Sequence, residues 1–115
     1  MIMDLQLDKK ENYTLIRPKV EKLDSNVAPH LKSELVILNS SGIKNIIIDL
    51  SDVRYCDSSG LSAILVANRL CRNSKGTFVL AGVQEAVKKL IAISQLDSIL
   101  TITSSAKEAA DMIQS

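Results

Sequence analysis

The hydroxyls of Ser58 and Ser59 stand between Asp57 and Gly60, directly ahead of the apolar run Leu61-Ser62-Ala63-Ile64-Leu65. Asp and Ser side chains accept hydrogen bonds from the unpaired amides of a first helical turn, so these residues are expected to cap a helix. Nucleophilic chemistry would need more. The stretch Gly60-Leu61-Ser62-Ala63-Ile64 has Ile64 where the elbow G-x-S-x-G requires its second glycine. His30 is the only histidine, so neither a Ser-His-Asp triad nor a histidine metal cluster can be assembled around several histidines. With no constellation of acid, base and nucleophile, the chain is read as non-enzymatic, with no cofactor and no metal.

Other chemistries fail on composition or spacing. There is no G-x-x-x-x-G-K-[ST] and no G-x-G-x-x-G to cradle a phosphate. Fourteen Lys and Arg against thirteen Asp and Glu give a net charge of +1, which offers no electrostatic footprint for nucleic acid or an anionic membrane. Aromatic residues make up 3% of the chain, too few to stack bases. Lys88-Lys89, Arg69 and Arg72 read as solvated helix faces. Cys56 and Cys71 have no second pair to make a zinc site or a disulfide framework, and are expected to be small reduced core residues.

The elements that must hold Asp57 to Gly60 follow from periodicity. Leu5 and Leu7, then Tyr13, Leu15 and Arg17, alternate across the polar Lys9-Lys10-Glu11-Asn12 and predict two strands, the second limited by Pro18. Val27, Leu31, Leu35 and Leu38 form one stripe of a helix entered near Ser25-Asn26 and ended before Gly42, with Pro29 in its first turn. Ile46-Ile47-Ile48-Asp49-Leu50 predicts a strand covered on both faces, at the centre of the sheet. A helix from Ser59 to about Asn73 is apolar around most of its girth, which requires burial or a covering partner.

Thr77 to Ala81 predicts a strand, and Val83, Val87, Leu90 and Ile91 a helix. Ile99 to Ile102 reads as a last strand, before the capping box Ser105-Ala106-Lys107-Glu108 and a closing helix. The order ββαβαβαβα implies an α/β domain with a mixed, mostly parallel sheet of four or five strands and about four helices. Partner contacts on such a sheet collect at the carboxyl ends of its strands, where Asp57 to Gly60 falls.

The 115 residues are expected to form one domain burying roughly two thirds of the unfolded chain's surface. The start, Met1 to Asp8, lacks the basic segment and apolar stretch of a secretory signal. A cytoplasmic location without membrane insertion is therefore expected.

Ile46-Ile47-Ile48-Asp49-Leu50-Ser51-Asp52-Val53, followed by Asp57-Ser58-Ser59-Gly60-Leu61-Ser62-Ala63-Ile64-Leu65, resembles STAS domains, in particular the bacterial anti-sigma-factor antagonists. The turns at Leu23-Asp24-Ser25-Asn26 and Ala81-Gly82-Val83 fit the same pattern. Glu21-Lys22 departs from it, since the family often has Gly before the Leu-Asp pair. The resemblance implies that Ser58 is phosphorylated by a partner that is both an anti-sigma factor and an ATP-dependent serine kinase. It implies that the unphosphorylated form binds that partner and frees the sigma factor, and that a metal-dependent serine phosphatase restores it.

Ser59 would then support the helix start, and Asp24, Ser25, Asn26, Asp57, Ser58, Ser59, Gly60, Leu61 and Ser62 would make the docking surface. The alternative is a STAS subunit of a transporter or signalling scaffold that is never phosphorylated. Weak self-association through the apolar helix after Gly60 is a further expectation.

Overall fold

The computed structural model describes residues 5–114; the first four positions of the stretch read for a secretory signal lie outside them. A five-stranded sheet carries the fold, ordered β1 (Leu5–Lys9), β2 (Thr14–Pro18), β4 (Ile46–Asp49), β6 (Phe78–Ala81) and β7 (Ile102–Thr103). Among the described residues only the opening hairpin is antiparallel; the pairs β2–β4, β4–β6 and β6–β7 are parallel. Four helices connect and close it: α1 (Ala28–Ser40), α2 (Ser58–Asn73), α3 (Glu85–Ile93) and α4 (Ala106–Gln114). The fold class expected from the alternation is thus observed, and β4 is the central strand.

The unbroken isoleucines of β4 are explained by two cores, one on each face. Ile46 and Ile48 join Leu31, Leu35, Ile64, Ala67, Val87 and Ile91 in the larger one. Ile47 turns the other way, onto Val79, Ala81 and Ala109 of the smaller core, which Tyr13, Leu15 and Ile113 flank. Period-two alternation therefore sends apolar residues in both directions because both directions are covered. Pro18 is accommodated at the end of β2, since pairing with β4 stops at Ile16–Ile48 and no donor is demanded there.

The structure sharpens several expectations. The apolar girth of α2 is covered within the chain. Leu61, Ala63, Ile64, Ala67 and Cys71 are buried, and Leu65, Val66 and Leu70 pack against the same core, which α1 shares. The helix is thus covered by its own chain, with Leu65, Val66 and Leu70 half-buried. The last strand is shorter than Ile99–Ile102, because a left-handed Gln95 (φ 60°) leads into a single 3-10 turn at Leu96–Ser98. Leu100 donates back to the Leu96 carbonyl at 3.0 Å, and bonding to β6 starts at the Thr101 carbonyl, which accepts from Leu80 at 2.9 Å, with Ile102 the first paired residue.

Two further strands escaped the periodicity altogether: β3 (Lys22–Leu23) and β5 (Tyr55–Cys56) pair in parallel as a separate small sheet. The capping box of α4 is present in altered form. Ser105 Oγ accepts from the Glu108 amide at 3.1 Å, whereas Glu108 reaches the amide of Ser104 instead of Ser105.

Candidate functional site

The small sheet sets the site's geometry. The Glu21 carbonyl accepts from the amides of both Arg54 (2.8 Å) and Tyr55 (3.1 Å), and the Leu23 carbonyl accepts from Asp57 at 3.3 Å. These bonds hold the loop before α1 against the turn before α2. In the first loop, Asp24 Oδ1 accepts from the Asn26 amide at 3.0 Å, and its carbonyl accepts from Val27 and Ala28. Asp24 thereby organises the entry to α1 for which Pro29 is suited, since the first helical turn needs no amide from it.

In the second turn Asp57 is the N-cap of α2. Its backbone is extended (φ −108°, ψ −172°), its carboxylate accepts from the Gly60 amide at 3.0 Å, and its carbonyl accepts from Leu61 at 3.0 Å. Ser58 occupies the first helical position and is exposed, while Ser59 is half-buried. Neither serine hydroxyl has a hydrogen-bond partner among the described residues, and the amides of Ser58 and Ser59 are the unpaired donors every helix start leaves over. Support of the helix start therefore falls to Asp57, correcting the role assigned to Ser59.

Gly60 is fixed by contact, not by dihedral freedom. A Cβ there would meet the Leu23 carbonyl oxygen at 2.3 Å and Cys56 Sγ at 2.6 Å. The first turn of α2 lies directly on β3, and only glycine allows that approach.

The expected docking residues divide accordingly. Ser25, Asn26, Asp57 and Ser58 are exposed, Asp24, Ser59 and Ser62 are half-buried, and Gly60 and Leu61 are buried. Asp24 and Asp57, distant in sequence, line one hollow of about 270 Å³ together with Lys22, Leu23, Tyr55 and Cys56. Tyr55 was missed by sequence reasoning. It is half exposed, borders this hollow and a second one beside Gln84 and Glu85, and is one of only two tyrosines. An aromatic residue so close to the Asp-Ser pair, in a chain with so few, was the available signal.

At the carboxyl ends of β4 and β6, Asp49 accepts from the amide and hydroxyl of Ser51 (3.0 and 2.7 Å). Gly82 has φ +68°, and a Cβ there would lie 2.6 Å from Asp49 Oδ1. Gln84 donates to the Ser51 carbonyl at 2.7 Å. This network fixes the loop that leads toward β5.

The cysteines behave as packed apolar groups. Burial, with the charge of Asp57 secondary, pushes the Cys56 thiol up to about 12, and burial pushes Cys71 up to about 11, from an ordinary value of 9.0. A raised thiol pKa disfavours the reactive thiolate. Native protein at pH 8 is expected to alkylate with iodoacetamide far more slowly than the urea-unfolded chain, Cys71 slowest; equal rates would contradict the packing. Because the unfolded chain loses these protons first, the two thiols stabilise the fold fully below about pH 9, and that contribution declines as pH rises toward 11 and 12.

Among the described residues no group of three or more His, Cys, Asp or Glu could hold a metal ion, and no helix is long and apolar enough to cross a membrane. Fold and site together define a small α/β domain presenting a solvent-facing serine beside the carboxylate that caps its helix.

The STAS domain model matches residues 4–109, and the chain belongs to that family. It is 29% identical to the anti-sigma-B factor antagonist of Bacillus subtilis (strain 168) over 102 residues, 88% of this chain and 93% of that protein. An anti-sigma-factor antagonist (STAS) domain protein from Planctomyces limnophilus superimposes with a TM-score of 0.86 at 18% identity, over 96% of this chain and 98% of that one. The Bacillus cell fate determinant SpoIIAA in its phosphorylated form does so with a TM-score of 0.75 at 21% identity, over 95% and 98%. These two superpositions establish a shared fold.

Proposed function

We propose that this protein is an anti-sigma-factor antagonist whose unphosphorylated form binds an anti-sigma factor, and that phosphorylation of Ser58 by that partner's serine kinase activity ends the binding. The observation that carries the reading is the division of labour at the α2 start: Asp57 supplies the cap, so the exposed hydroxyl of Ser58 is free to lose its proton and accept the γ-phosphoryl group of ATP, with ADP leaving. Likeness to the B. subtilis antagonist over most of both chains supports the partner class. The existence of a phosphorylated form of SpoIIAA, which shares the fold, supports the modification.

The physical logic of the switch is local. A phosphoserine adds about −1.5 to −2 charges and three acceptor oxygens. The unpaired amides at the helix start favour that charge, and the neighbouring Asp57 opposes it. A packed interface would have to desolvate it, which costs affinity while leaving the fold in place. Ser58 is the acceptor because it is exposed where Ser59 is half-buried. A serine phosphatase completes the cycle.

The test is to incubate the protein with ATP and its cognate anti-sigma kinase and to locate phosphate by mass spectrometry. One phosphate on Ser58 and none on Ser59 is expected. An unlabelled chain, or label confined to another residue, would overturn the proposal and favour a purely structural STAS subunit.

A further inference from the structure

Among the described residues, the outer edge of β1 has no neighbouring strand in the sheet, and its pairing pattern reveals which backbone groups it offers. Lys10 donates to the Tyr13 carbonyl at 2.9 Å across Glu11-Asn12, while Thr14 donates away from β1 to the Asn45 carbonyl. Hydrogen-bonded and non-bonded pairs alternate along an antiparallel ladder. Gln6–Arg17 and Asp8–Leu15 are therefore the bonded pairs, and Leu5, Leu7 and Lys9 turn their N–H and C=O groups outward. Such a row is a template for another strand.

We infer that the occupant of this edge is the β1 strand of a second copy, paired antiparallel about a two-fold axis through Leu7. Charge selects that register. Centring on Asp8 or Lys9 sets like charges opposite each other, and centring on Leu5 or Gln6 overlaps only part of the strand. Centring on Leu7 overlaps all of Leu5–Lys9 without opposing like charges: Leu7 meets Leu7, Leu5 meets the aliphatic stem of Lys9, and Gln6 meets Asp8 twice. Leu5 and Leu7 already pack against the larger core, so the pairing continues an apolar face across the axis. Asp8 remains available, because its 3.4 Å pair with Lys10 is solvent-exposed and weak. Two five-stranded sheets would join as one.

Sedimentation equilibrium from micromolar to millimolar concentration, on wild type, Gln6→Lys and Gln6→Asp, tests this. Gln6 is exposed, so both variants should keep the wild-type circular dichroism spectrum. Wild type is expected to dimerise. Opposite charges facing Asp8 should tighten the Gln6→Lys dimer about fivefold, and like charges should weaken the Gln6→Asp dimer about fivefold. Net charge predicts the reverse, since Gln6→Asp brings the chain from +1 toward neutrality. As a second readout, Leu7→Cys should oxidise to a covalent dimer, because opposed Cα atoms about 5.5 Å apart suit a disulfide. Lys9→Cys, facing Leu5, should not. A monomer at every concentration, dissociation constants that fail to move in opposite directions, or no Leu7→Cys crosslink would overturn the proposal.

Discussion

Ser58→Asp is expected to bind the anti-sigma partner about 100-fold more weakly than wild type or worse, whereas Ser58→Ala stays within a few-fold, because desolvating an unpaired charge in an interface costs about 2–5 kcal/mol. The contrast isolates charge from the loss of the hydroxyl. That hydroxyl makes no hydrogen bond within the described residues, so removing it leaves no buried group unpaired. The capping bond from Gly60 to Asp57 is untouched by either substitution, and both variants should melt within a few degrees of wild type. Isothermal titration calorimetry against the partner gives both affinities. If Ser58→Asp bound within threefold of wild type, the serine could not be the gate.

Gly60→Ala is expected to destabilise the protein by about 1–3 kcal/mol, the ordinary cost of overpacking. Two effects compete. Alanine is favoured over glycine inside a helix by up to about 1 kcal/mol, but the added methyl would meet the Leu23 oxygen at 2.3 Å and Cys56 Sγ at 2.6 Å. Leu23 cannot retreat easily, being fully buried and paired with Cys56. The clash therefore wins, and for a domain of this size the melting temperature should fall by roughly 4–12 °C. The same substitution should loosen β3 from the α2 start and weaken docking without any change of charge. A thermal melt followed by circular dichroism decides it; a variant as stable as wild type would show that the contact yields freely.

The main elements were legible wherever a stretch was long enough to display a period. The isoleucines of β4 announced a doubly covered strand, and Val27, Leu31, Leu35 and Leu38 announced α1. The small sheet was not legible, since two-residue strands have no period; it exists because backbone groups of Glu21 and Leu23 are met by Arg54, Tyr55 and Asp57. With it went the juxtaposition of Asp24 and Asp57, which depends on pairing between segments far apart in the chain. The girth of α2 was legible as burial, but a single sequence cannot say whether the cover is internal. Here α1 and the sheet supply it. The position of Glu21-Lys22 is likewise resolved only in three dimensions: the backbone carbonyl of Glu21 carries the structural bonds, and its carboxylate lies 3.7 Å from Arg54 as an exposed pair of little energetic weight.

The Asp57-Ser58 turn thus combines a rigid part and a free part. Asp57, Gly60 and Leu23 fix the backbone, and the hydroxyl of Ser58 projects from it without an internal role. The most direct test of that arrangement is the affinity of one preparation for its anti-sigma partner before phosphorylation, after stoichiometric phosphorylation at Ser58, and after phosphatase treatment. Loss of binding on phosphorylation and its full return on dephosphorylation, with an unchanged circular dichroism spectrum throughout, is the predicted result. Equal affinity in all three states would contradict the account.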